Sequence, residues 1–253
     1  MEGVALIEKW EGQKTEGIFI FEIGGGNGLS GLLCAYEKGL PNIDLDLMGR
    51  AYPTQWQSLP SVYNDLKGYP YLAVSDGNGM QIMILHANDD MHLENILRDT
   101  MYHQGVQCSC IEPSMDVTQM RRETVSNPMS LAWRIGREVL IARNTSDIDN
   151  LPNRIIGACG GPKAAKCLFK GKIVRVEKKL QRGYGYGVVE LESADESSKE
   201  KIRIPFKNEN IVVYKVDKDG EETPLCSVPD LITLVDMDGG AVGYRNWWSK
   251  RFR

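Results

Sequence analysis

The chain has 253 residues, 42% hydrophobic and 25% charged, with 30 Lys and Arg against 34 Asp and Glu for a formal net charge of −4. That composition is globular rather than disordered, and the length allows one large domain or two modest ones, each with a hydrophobic core. The acidic balance lacks the basic footprint of a nucleic-acid binder, and no run reaches the apolar length of a membrane span. Met1 to Gly17 carries Glu2, Glu8, Lys9 and Glu11 and lacks the basic start and apolar run of a signal peptide. Six cysteines, at 34, 108, 110, 159, 167 and 226, are spaced irregularly and read as reduced thiols of a cytosolic protein.

Val4 to Trp10 reads as a short helix. Gly17-Ile18-Phe19-Ile20-Phe21-Glu22-Ile23 reads as a buried strand, β-branched and aromatic on both faces. A glycine-rich turn, Gly24 to Gly28, leads into a predicted helix over Leu29–Lys38. Its apolar face is Leu29, Leu32, Leu33 and Tyr36, and Gly39 follows as its stop. Leu40 to Met48 is the next strand, and strand, helix, strand at this length predicts a parallel βαβ unit.

Tyr69–Val74 and Gln81–Leu85 flank Asp76-Gly77-Asn78-Gly79 and predict a hairpin. Asn88–His103 is predicted helical, Val106–Ile111 a strand, and Pro128–Arg143 a helix with Pro128 in its first turn. Asn144 to Pro162 reads as a linker. Beyond it, Leu168–Val176, Gly183–Glu192, Lys201–Phe206, Ile211–Lys215 and Leu231–Val235 read as short strands of a small barrel or sandwich. Trp247-Trp248 reads as a packing or interface anchor, and the tail Arg245, Lys250, Arg251, Arg253 as a solvated basic end.

Two constellations carry chemistry. Gly26-Asn27-Gly28-Leu29-Ser30-Gly31 has the G-x-G-x-x-G spacing of a dinucleotide turn. Glycines there let the backbone meet a pyrophosphate at a helix start. The same glycines also suit a plain tight turn, or one lining another ligand's site. Asp44-Leu45-Asp46-Leu47-Met48-Gly49-Arg50-Ala51-Tyr52-Pro53 places two carboxylates two apart, which on a regular strand share a side. They stand where parallel strands end and ligands bind. Paired carboxylates raise one another's pKa, so one suits acid–base work, or both suit a divalent metal ion. Arg50 suits a clamp on a carboxylate or amide oxygen, against the plainer reading of an Asp–Arg salt bridge. Glu22 and Asn27 flank the glycine turn and are expected to face the same crevice. His86, His92 and His103 form no metal-site spacing, and neither a G-x-S-x-G elbow nor a Walker lysine is present.

Glu22-Ile23-Gly24-Gly25-Gly26-Asn27 and the Leu40–Pro53 run resemble the DUF917 family, associated with S-methyl thiohydantoin desulfurase and with hydantoinase/oxoprolinase operons. Leu168–Ile173, Phe206–Asn210 and Val228–Ile232 are similar to that family's second domain. The sequence departs from the family in beginning close to the Glu22 strand and in having Thr54 where a Glu commonly follows the proline.

The resemblance implies a three-layer α/β first domain, placed at 1–156, and a smaller β-barrel-like second domain at 157–253. It also implies a hydrolase-like activity on a small cyclic amide of the hydantoin or S-methyl thiohydantoin type. In this reading Asp44, Asp46 and Arg50 are catalytic, and Asn27 with Gly24, Gly25 and Gly26 supplies donors to an oxyanion. Glu22, Met48 and Gly49 complete the substrate contacts. The cofactor is unknown, with a divalent metal ion as the candidate. The alternatives are a nucleotide-dependent enzyme using the Gly26–Gly31 turn, or a non-catalytic partner subunit of a hydantoinase-type system. A homo-oligomer or such a partner is expected, because the Gly17–Ile23 strand would otherwise leave an apolar edge.

Overall fold

The structure, a computed structural model, describes residues 2–103, 108–181, 183–195, 197–198 and 200–242. The basic tail and Trp247-Trp248 lie outside the described residues, as does the start of the strand expected over Val106–Ile111. The chain forms two compact units, Met1–Ser130 and Leu131–Arg253.

The first unit begins with α1 (Glu2–Glu11) and α2 (Asn27–Lys38). It continues with β1 (Leu45–Asp46), a 3-10 turn at Gln55–Gln57, α3 (Leu59–Tyr63) and the hairpin β2 (Leu72–Ser75) and β3 (Gln81–Ile84). Then come α4 (Asp90–His103), β4 (Ser109–Ile111), α5 (Val117–Glu123) and β5 (Val125–Ser126). The sheet is antiparallel, in the order β3-β2-β4. All four residues of the central strand β2 are buried, because α1 packs over one side of the sheet while the Tyr69, Leu72, Val74, Ile84, Leu93 and Leu97 core ties it to α4.

A parallel sheet was expected here, and the structure corrects that. Residues 17–23 do run parallel to 41–47: Ile18 N–H donates to Pro41 O at 2.9 Å, Ile43 N–H to Ile18 O at 2.7 Å and Leu47 N–H to Phe21 O at 3.0 Å. The ladder is interrupted between Ile43 and Leu47 because the backbone kinks at Asp44, where Leu45 N–H donates to Ile43 O at 2.8 Å. That three-residue turn interrupts strand geometry, so only Leu45–Asp46 remains as a strand, paired antiparallel with β5.

Helix α2 ends as expected: Gly39 adopts φ 67° and returns its N–H to the last turn. Its orientation was not foreseen. Gly28 and Ala35 are buried, while Leu29 is 71% and Tyr36 84% exposed. Small residues bring the helix against residues 20–23: a Cβ at Gly28 would lie 3.2 Å from Ile23 Cδ1, and one at Gly31 would overlap Ile20 Cγ2. Gly31→Ala should therefore destabilise by about 1–3 kcal/mol through overpacking. That outweighs the roughly 1 kcal/mol that Ala gains over Gly in a helix. Urea unfolding of the variant measures the balance, and net stabilisation would contradict this packing.

The second unit takes the rest of α6 (Pro128–Asn144), then α7 (Leu151–Ala158), β6 (Gly171–Gln181), β7 (Tyr184–Ser193), β8 (Lys201–Lys207), β9 (Glu209–Asn210), β10 (Val212–Val216) and β11 (Glu222–Ser227). Where a linker was expected, Leu151 opens α7 and packs buried on Val139 and Ala142; Pro152 at its start is tolerated because the first turn needs no donor there.

The sheet is a five-strand antiparallel path, β11-β10-β8-β7-β6, with β9 beside β8. Among the described residues no pairing joins β6 to β11, so the antiparallel sheet is shown and closure into a barrel is not. Along β8, Ile202, Ile204 and Phe206 alternate inward onto Val189, Leu191, Val213 and Ile232. Leu231–Val235, expected as a strand, instead covers this core irregularly: Asn210 Nδ2 donates to Ile232 O at 2.9 Å, and Val235 makes one isolated bridge to Ala241.

Candidate functional site

The extended segment ends at Glu22, whose side chain turns back over the glycine turn. One carboxylate oxygen accepts from Gly24 N–H and the other from Asn27 Nδ2 at 2.6 Å. Glu22 is buried. Gly24 has to be glycine, since a Cβ there would meet the Glu22 carboxylate and lie 3.2 Å from Ala51 Cβ. Gly25 supplies the left-handed step of the turn at φ 55°. The Gly24 donor is thus directed at Glu22 and not at an oxyanion, and Gly25 and Gly26 do not line the cleft described below. Gly28 and Gly31 are explained by helix packing, so the dinucleotide spacing has a structural origin.

The kink at Asp44 separates the two aspartates expected to act together. Asp44 accepts from the N–H groups of Met129 (2.8 Å) and Ser130 (3.2 Å) and from Ser130 Oγ, holding the first turn of α6. Asp46 is fully buried, and its Oδ1 accepts from Met48 N–H at 3.2 Å and Gly49 N–H at 2.6 Å. That bond fixes the Met48–Gly49 turn, where Gly49 has φ 69° and packs on Val125. Burial pushes the Asp46 carboxyl up; the Gly49 and Met48 donors oppose this, and the Asp44 charge adds to it. Arg50 is also buried; its Nε donates to Ala51 O at 3.1 Å and its guanidinium lies 5.0 Å over the Tyr52 ring.

Glu22 and Asn27 open onto a cleft of about 1480 Å³ that lies wholly within the first unit. Of the ten residues expected at the site, these two line it; Asp44, Asp46, Arg50, Gly24, Gly25, Gly26, Met48 and Gly49 do not. Leu47 and Tyr52, near neighbours of Asp46 and Arg50 in the chain, do line it, and the Arg50 guanidinium lies over the Tyr52 ring.

The same cleft gathers residues that the sequence did not single out. Thr54 and Gln57 form a capping box on the 3-10 turn, which explains a threonine after Pro53. The turn presents Gln55, whose N–H donates to Glu94 Oε2 at 2.8 Å and whose Nε2 donates to Glu112 Oε1 at 3.4 Å. Glu94 is buried and bonds Arg98 Nε at 2.7 Å. Burial pushes the Glu112 carboxyl up to about 7. Burial also raises the Cys110 and Cys108 thiols, Cys110 further through the Glu112 charge, which keeps both away from thiolate chemistry. Among the described residues no three His, Cys, Asp or Glu side chains gather in a group that could hold a metal ion. Nor is any described helix long and apolar enough to cross a membrane.

A family model described as "S-Me-THD-like, N-terminal domain" matches residues 1–86, and one described as "S-Me-THD-like, C-terminal domain" matches residues 87–246. A search of curated proteins finds no match. Among solved structures, the chain is similar in fold to a crystal structure of a protein from Chromobacterium violaceum. The two are 18% identical with a TM-score of 0.66, and the match covers 94% of this chain and 62% of that one. The chain thus spans less than two thirds of that protein's length.

Proposed function

The chain belongs to the S-Me-THD-like family, and on that premise we propose that it is a hydrolase-like enzyme acting on a small cyclic amide of the hydantoin or S-methyl thiohydantoin type in the cleft of the first unit. The observation that carries this reading is the Glu22–Asn27 pair, a buried carboxylate oriented by two donors at the wall of a cleft large enough for such a ring.

Glu22 takes a proton from water as the oxygen adds to the ring carbon that bears the S-methyl group. The ring C=N π bond opens onto its nitrogen, which takes the remaining proton of the added hydroxyl; the C–S bond then breaks, methanethiol leaves with the proton that Glu22 held, and the ring carbon becomes a carbonyl beside an N–H. Asn27 fixes the direction of the Glu22 carboxylate. Asp46 and Arg50 are positioning residues that act through Leu47 and Tyr52.

The test is methanethiol release from S-methyl thiohydantoin. Glu22→Gln should lower kcat by at least about 100-fold, the usual contribution of a positioned base, with the melting temperature nearly unchanged. An active Glu22→Gln protein would rule out the assigned role. Asp46→Asn, in contrast, should change the thermal stability and slow turnover only in step with it.

We further propose association with a second copy or with a hydantoinase-type subunit, supported by the exposed Leu29, Leu33 and Tyr36 of α2. Light scattering on the purified chain and on its mixture with a hydantoinase-type subunit reads it, and a monomer in both would contradict it.

A further inference from the structure

We propose that Gln55 and Glu112 form a recognition pair for the amide edge of the ring, reading its N–H and its adjacent C=O together. The inference rests on the cyclic-amide reading above and names the residues that would give it specificity.

A lactam or hydantoin edge presents one donor and one acceptor side by side, so its complement is an acceptor beside a donor. Gln55 supplies the acceptor. Its backbone is fixed by the bond to Glu94, which Arg98 holds in turn, and its Nε2 is turned to Glu112. This leaves Oε1 buried with no partner among the described residues. A buried carbonyl oxygen left unpaired is costly, so such an atom at a cleft wall marks a place where a ligand's donor belongs. Glu112 supplies the second half. Its Oε1 accepts from Gln55, so in the acid form its other oxygen is left to donate.

The charged and titratable groups around Glu112 are Glu94 and Arg98 on α4, Cys110 on β4, and Tyr69. Burial, opposed only by its own backbone N–H, lifts its carboxyl to about 7, so the acid form is present at and below pH 7. A site built this way rejects a ring whose N–H is methylated, because Oε1 then stays unpaired. It also rejects an open-chain carboxylate, which offers Gln55 Oε1 no donor.

The probes are hydantoin and 1,3-dimethylhydantoin, titrated calorimetrically into the full chain at pH 6. Hydantoin should bind, and the dimethyl compound at least about tenfold more weakly, the discrimination expected when a buried polar group loses its partner. Gln55→Met, which keeps the volume and removes the carbonyl, should lose the same factor for hydantoin and bind both rings alike. Glu112→Gln, which retains a donor, should bind hydantoin within about threefold of wild type at pH 6 and, unlike wild type, equally well at pH 8.5.

Equal binding of the two rings by the wild-type protein, absence of hydantoin binding, or an unaltered Gln55→Met protein each overturns the pair. Because these are binding measurements, they separate from the catalytic reading. N–H-dependent binding without methanethiol release defeats only the hydrolase assignment. Release that is indifferent to Gln55→Met defeats only the recognition pair.

Discussion

Glu112→Gln is expected to leave stability unchanged near pH 4 and to raise it above pH 7. In the folded chain burial moves the Glu112 carboxyl from 4.5 to about 7. Folding therefore favours the protonated form, and the contribution is intact below about 4.5. It is lost progressively as the pH rises to about 7, above which the charged group sits in the cleft wall at full cost. Such a displacement corresponds to about 3 kcal/mol by linkage; water in the open cleft screens part of it, leaving about 1–3 kcal/mol. The amide removes the charge and keeps an acceptor for Gln55 Nε2. Chemical denaturation of both proteins at pH 4, 6 and 8 reads the effect: the wild-type curve should fall with pH relative to the variant. Parallel curves would mean that Glu112 is already ionised in solvent.

Gly187→Ala should be among the most damaging single-methyl changes in the chain, at about 3 kcal/mol or more. Gly187 faces Lys178 on β6 and Phe206 on β8. A Cβ there would overlap the Glu177 carbonyl oxygen and lie 2.8 Å from Phe206 Cε1. The oxygen belongs to a neighbouring strand, so relief requires β6 to move, and Phe206 belongs to the packed core of the unit. Gly185, two residues earlier, is the control. Its Cβ would meet only Lys178 Cε at 3.3 Å and Asn208 Oδ1 at 3.6 Å, so Gly185→Ala should cost less than about 1 kcal/mol. Thermal unfolding of the two variants decides this, and equal losses would contradict it.

The contrast shows what local pattern conveys. Gly39, the Asp76–Gly79 turn and Pro128 each specify their own backbone, and the elements they bound lie where the sequence placed them, within a few residues. The alternation of Ile202, Ile204 and Phe206 likewise named an inward face. What a residue packs against is a tertiary property, and the pattern misled there. Leu29, Leu32, Leu33 and Tyr36 look like a core stripe, yet α2 buries its glycine and alanine side, because only small residues permit so close an approach to Ile20. The D-V-T-Q run at Asp116 is a capping-box signal for α5, and Pro152 likewise marks the start of α7.

The site divides the same way. Glu22 and Asn27, adjacent to one turn, were legible as a pair. The Asp44–Asp46 pairing assumed an uninterrupted strand, and one hydrogen bond from Leu45 to Ile43 sends the two carboxylates to different tasks. Glu94 and Glu112 were invisible as site residues because Gln55 reaches them across 39 and 57 residues of sequence. The cleft also draws on both family segments: Glu22, Asn27 and Gln55 come from 1–86, and Glu94 and Glu112 from 87–246.

The most direct test of the central claim is an experimental structure of the chain with hydantoin bound. The account predicts the ring in the cleft of the first unit, with its N–H within hydrogen-bonding distance of Gln55 Oε1 and a ring carbon open to water held by Glu22. A ring bound on the second unit's sheet, or at the outer face of the Gly24–Gly26 turn with the cleft empty, would contradict it.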